Sequence, residues 1–74
     1  MGIEDDVSAN AVKVYKTMKD LGNISEEKLG NAERITQTVK LPKNMVLNAL
    51  QELQAKTYVR RKVREKSAGY YVIR

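Results

Sequence analysis

Lys43, Asn44, Leu47, Asn48 and Gln51 recur at steps of one and three residues, and Arg60, Arg61, Lys62, Arg64 and Lys66 crowd into the seven positions from 60 to 66. Neither set is suited to making or breaking covalent bonds. Asparagine and glutamine amides pair bidentately with adenine in a major groove, and a leucine can meet a thymine methyl. Lysine and arginine neutralise phosphates and release the counterions held there. The chemistry these types offer is recognition of a polyanion. The chain has no histidine and no cysteine. It therefore lacks the commonest general base, the commonest metal ligand, thiolate chemistry and any disulfide framework. Carboxylates such as Asp20 and Glu52 are present, but nothing in their spacing suggests a pocket. No enzymatic activity, cofactor, metal or small-molecule ligand is expected.

Charge sharpens this reading. The formal net charge of +5 is spread unevenly along the 74 residues. Residues 1–27 balance at −3, residues 28–55 at +2, and residues 56–74 at +6, where seven cations face Glu65 alone. A basic end on an otherwise acidic-to-neutral module points that end at a polyanionic partner. No apolar run approaches a membrane span, and the start, MGIEDDVSANAV, has neither a basic n-region nor an apolar h-region. The expectation is a single cytoplasmic domain with no membrane contact.

The elements that must position these residues follow from periodicity. Val7, Ala11, Val14, Met18 and Leu21 are spaced 4-3-4-3, with Val12 and Tyr15 widening the stripe. This predicts a helix over about 5–21, ended by Gly22-Asn23. Its spare apolar edge makes it the candidate surface for a homodimer. Ser25 as N-cap, followed by Glu26 and Glu27, predicts a helix over about 26–39 that carries Leu29, Ala32, Ile35 and Val39 inward. Gly30 weakens it, and Asn31 recapping a second piece is the alternative.

Lys40-Leu41-Pro42 then interrupts the pattern. Proline disfavours helical geometry for the residue before it and suits a helix's first turn, so a third helix is expected over about 43–56. Val46, Ala49, Leu50 and Leu53, spaced 0-3-4-7, form its inward stripe. That stripe turns Lys43, Asn44, Leu47, Asn48, Gln51 and Gln54 outward. Two short helices joined so tightly cross steeply, with Leu41 as the plug between them.

Residues 57–74 read as a hairpin. Thr57 to Arg64 alternates about Val59 and Val63, Lys66-Ser67-Ala68-Gly69 is turn chemistry within a loop of about five residues, and Tyr70 to Ile73 is the return strand. Arg60, Lys62 and Arg64 fall on the face away from the core, with Lys66 at the tip. Arg61 is ambiguous by alternation.

The stretch ERITQTVKLPKNMVLNALQELQAKTYVRRKV, from Glu33 to Val63, resembles the winged helix-turn-helix of small prokaryotic transcription regulators, including the multiple-antibiotic-resistance-regulator type and its archaeal relatives. The matching positions are Ile35 and Val39, the corner Leu41-Pro42-Lys43, the stripe Val46, Ala49, Leu50 and Leu53, and Tyr58-Val59-Arg60-Arg61 at the start of the wing. The resemblance spans roughly residues 24–74. It departs at Thr36 and Lys40, where many members have alanine and a glycine or other small residue.

What the resemblance implies is an α+β winged helix-turn-helix of three helices and a two-stranded antiparallel wing. It would bind double-stranded DNA with the third helix in the major groove and the basic wing on the backbone. The site residues would be Lys43, Asn44, Leu47, Asn48, Gln51, Arg60, Arg61, Lys62, Arg64 and Lys66. The alternative is a winged helix that binds protein or RNA within a transcription, replication or ribosomal assembly.

Overall fold

Ser8 decides how the chain begins. In the computed structural model, which describes residues 2–64 and 67–74, a one-turn helix α1 (Ile3–Asp6) stops at Val7, and α2 (Ala9–Asp20) starts afresh. Val7 is extended, and the Ser8 hydroxyl accepts from the Ala11 N–H at 3.3 Å as the N-cap. The continuous helix expected over 5–21 is thus broken, because serine offers the backbone a cap that competes with helix continuation. The inward stripe survives the break: Val7, Ala11, Val14 and Met18 are all buried.

The second expected helix is shorter still. Residues 25–28 make only a turn, and α3 (Ala32–Val39) begins where the Asn31 side chain accepts from the Arg34 N–H at 2.7 Å. Gly30 is not helical because both its backbone groups are spent on Tyr70, at 2.9 and 2.8 Å. At the corner, Lys40 closes α3 in the left-handed region (φ 61°), and half-buried Leu41 packs against the core. The departure from glycine at this position is therefore a real conformational cost. Helix α4 (Lys43–Ala55) then buries Val46, Ala49, Leu50 and Leu53, the four positions of the inward stripe.

Strands β1 (Val59–Arg64) and β2 (Ser67–Val72) pair antiparallel from Val59↔Val72 to Arg64↔Ser67. The loop is therefore shorter than expected: Ser67, Ala68 and Gly69 belong to the strand, and Glu65 and Lys66 lie outside the described residues. Gly69 has a packing role rather than a turning one. A Cβ there would stand 2.6 Å from that of Leu29, which lies across the strand. The far edge of β2 is covered by residues 23–30, through Gly30↔Tyr70 and the Val72 N–H to the Asn23 carbonyl at 2.8 Å.

A single core joins α2, α3, α4 and the sheet, with Met18, Ile35, Leu50, Leu53, Val14 and Val46 fully enclosed. Val12 and Tyr15 are buried in it too, so the apolar edge expected to be left over on the first helix is used within the chain. What α2 shows to solvent is Ala9, Lys13, Lys16, Lys19 and Asp20. Among the described residues, no helix is long and apolar enough to cross a membrane.

Candidate nucleic-acid interface

With its apolar stripe inside, α4 presents Lys43, Asn44, Asn48 and Gln51 as exposed side chains, and Leu47 and Gln54 half-buried beside them. Among the described residues none of the four exposed side chains is held by a hydrogen bond or an ion pair. The first turn of the helix carries no acid. The one carboxylate of α4, Glu52, is turned away from this face: it accepts from the Ser8 N–H at 2.5 Å and so ties α4 to the start of α2. A 13-residue helix is about 20 Å long. It offers amides and one cation along that length with no negative charge to repel a phosphate.

The wing follows α4 after three residues. Helix α4 ends in a Schellman pair of bonds, the Tyr58 N–H to the Leu53 carbonyl at 2.9 Å and the Thr57 N–H to the Gln54 carbonyl at 3.0 Å. Thr57 is left-handed, at φ 62°. Tyr58 then locks the joint. Its ring meets that of Tyr15 edge-on at 5.6 Å, the Arg74 guanidinium stacks 4.4 Å above it, and its hydroxyl donates to Asp6 Oδ2 at 2.5 Å. That hydrogen bond raises the tyrosine's pKa above 10.0; burial and the Asp6 charge add to the rise, and Arg74 opposes it. The open cleft beside this cluster, about 560 Å³ and walled by Ile3, Asp6, Tyr15, Tyr58 and Arg74, lies at the seam where the two ends of the fold meet.

On the wing itself the register resolves Arg61. It stands opposite Tyr70 on the face of Val59, yet it is exposed, as is Val63 two residues on, because the hairpin outruns the core. Arg60, opposite Tyr71, is exposed on the other face. Cations thus leave β1 on both sides. Arg64 pairs with Ser67 at the end of the register, and Lys66 lies outside the described residues.

Lys62 differs from its neighbours. Its Nζ donates to Glu26 Oε2 at 3.2 Å, and the Tyr71 hydroxyl donates to Oε1 of the same carboxylate at 3.2 Å. Glu26 was not legible as a site residue. Beside Ser25 it reads as an acid in a helix's first turn, and nothing in local spacing links it to a lysine 36 positions later.

Three helices around one core, a three-residue corner between the last two and a hairpin behind them define a winged helix-turn-helix; α1 is a short addition in front. No protein-family description matches this sequence, and no curated protein matches it. Solved structures do share its shape. The solution structure of the DNA-binding TubR fragment from Clostridium botulinum matches with a TM-score of 0.75 and 19% identity, over 89% of this chain and 83% of that one. The N-terminal domain of a DNA binding protein matches with a TM-score of 0.74 and 13% identity, over 95% of this chain and 63% of that one. This chain therefore spans less than two thirds of the second. At such identities the likeness is one of fold.

Proposed function

We propose that the protein is a DNA-binding transcription regulator with no catalytic step. In this reading α4 enters the major groove and the basic wing follows the phosphate backbone. The observation that carries it is the outward face of α4: exposed amides and a lysine, unengaged among the described residues and free of carboxylates, followed directly by exposed Arg60 and Arg61. The two solved structures named above are described as DNA-binding, which supports the same assignment.

Lys43, Arg60 and Arg61, with Arg64 and Lys66 further along the wing, supply affinity through counterion release. Asn44, Asn48 and Gln51 supply base preference, each good amide–adenine pair contributing about 1–3 kcal/mol of discrimination, with Leu47 against a thymine methyl. The likeness of the corner and wing to the multiple-antibiotic-resistance-regulator type extends the reading to transcription control in the cytoplasm. Two copies on two half-sites is the arrangement that gives so small a module useful specificity.

The experiment is titration against duplex DNA with the salt concentration varied. R60A/R61A weakens binding on every sequence and flattens the salt dependence by about two ions, whereas N48A and Q51A change preference among sequences. If the wild type does not bind duplex, or binds with no dependence on salt, the protein-binding alternative takes its place.

A further inference from the structure

Among the described residues, Glu26 is brought onto the outward face of the wing by its contacts with Lys62 and Tyr71. Lys62 faces away from the helices, with Gly69 opposite it and the Arg60–Tyr71 pair beside it on the same side. Tyr71 is only 5% exposed although it stands outside the core cluster formed with the helices. The segment carrying Glu26 and Leu29 lies over that side of the sheet, and its ends are fixed to β2 by the Asn23–Val72 bond and the two Gly30–Tyr70 bonds. The Glu26–Lys62 pair is therefore held by the sheet rather than made by two wandering side chains. It remains in contact with water, with the lysine side chain 41% exposed and the glutamate 53%.

We propose that Glu26 competes with nucleic-acid phosphate for Lys62, and so sets how many cations of the wing act on the backbone. This deepens the DNA-binding reading above and rests on it. An exposed ion pair is worth little against water, yet a phosphate must displace it or forgo the lysine. The fold thereby holds one wing cation in reserve. Loss of the Glu26 charge, or its capture by another cation, frees Lys62 and tightens binding without any movement of the fold.

The test is a double-mutant cycle on the whole chain: wild type, E26Q, K62Q and E26Q/K62Q against one random-sequence duplex over a salt series. Glutamine keeps an acceptor for the Tyr71 hydroxyl, so the segment retains its seat. E26Q is expected to tighten binding by about two- to fivefold at low salt and to steepen the salt dependence by about one ion. The gain disappears in E26Q/K62Q, and K62Q alone costs less affinity than R60Q does. The proposal is overturned if E26Q binds as wild type does, or if its gain persists without Lys62. It is equally overturned if K62Q alone costs as much as R60Q, a result independent of how E26Q folds. Failure of the underlying reading looks different: the wild type itself then shows no salt-dependent binding to duplex.

Discussion

Two residues perform the same backbone task with different side chains. Helices α2 and α4 both end in a Schellman pair of bonds, with the left-handed position taken by Gly22 (φ 80°) in one and Thr57 (φ 62°) in the other. Glycine adopts that region freely, whereas a β-branched residue there is an outlier. The left-handed region costs an L-residue about 1–2 kcal/mol. Among the described residues the Thr57 hydroxyl bonds only the Lys56 carbonyl, at 2.6 Å, which holds no other element in place. Thr57→Gly is therefore expected to stabilise the protein by about 1 kcal/mol, seen as a rise in Tm of about 4–8 °C. No rise, or a fall, would mean that the hydroxyl matters more than the strain. Next to it, Tyr58 gives a pH dependence. Its native pKa is raised, chiefly by the hydrogen bond to Asp6, so the native state keeps its proton longer than the unfolded chain. The stability this contributes is whole below the unfolded value of 10.0 and is lost as pH rises through the raised native one. Urea midpoints of wild type and Y58F, compared from neutral pH upward, should converge above pH 10.

At the scale of elements, what the sequence revealed was whatever depends on near neighbours. The 0-3-4-7 stripe of α4, the stop before Pro42 and the outward set from Lys43 to Gln51 follow from helical geometry alone; burial puts the stripe inside and Lys43, Asn44, Asn48 and Gln51 outside, with Leu47 half-buried. The break at Ser8 is a local capping effect, whereas three other misreadings share a physical cause in the covered edge of β2. Gly30 reads as a weak point in a helix and Gly69 as a turn residue. Each is glycine because something distant comes close: the buried Asn23 side chain in one case and Leu29 in the other. Glu26 is illegible in the sequence for the same reason, since Lys62 and Tyr71, which meet it, arrive from the far end of the chain. The covered edge makes a prediction of its own. A Cβ on Gly30 would lie 2.1 Å from Asn23 Oδ1, and Asn23 cannot swing aside without losing its Nδ2 bond to the Lys28 carbonyl, 3.3 Å long. Gly30→Ala should cost about 1–3 kcal/mol by overpacking. In N23A/G30A the two costs should fall short of additivity, because the smaller neighbour makes room. Strict additivity in chemical denaturation would separate the two residues energetically and remove that account of the glycine.

Across the whole molecule, the distribution of apolar surface bears on how many copies bind. The buried residues of α2 are all used inside one chain, and its exposed side carries Lys13, Lys16, Lys19 and Asp20. Stable homodimer interfaces have an apolar centre, and this face has none to offer. Two copies meeting along α2 are then expected to pair on DNA, where adjacent half-sites hold them together, rather than in free solution. Salt dependence distinguishes one copy from two. Three phosphate contacts per copy, from Lys43, Arg60 and Arg61, lower affinity by about 40-fold between about 50 and about 200 mM salt, and two copies by about 2,000-fold. The expected outcome is a monomer in sedimentation velocity without DNA, and the steeper slope only on duplexes whose half-sites are centred about 10 base pairs apart. A dimer in the absence of DNA would shift attention from α2 to the exposed Ile24 and Ile73, which are 56% and 41% exposed near the covered edge of the sheet. I24E/I73E should then return that dimer to monomers, while R60A/R61A leaves it intact and weakens only its hold on DNA.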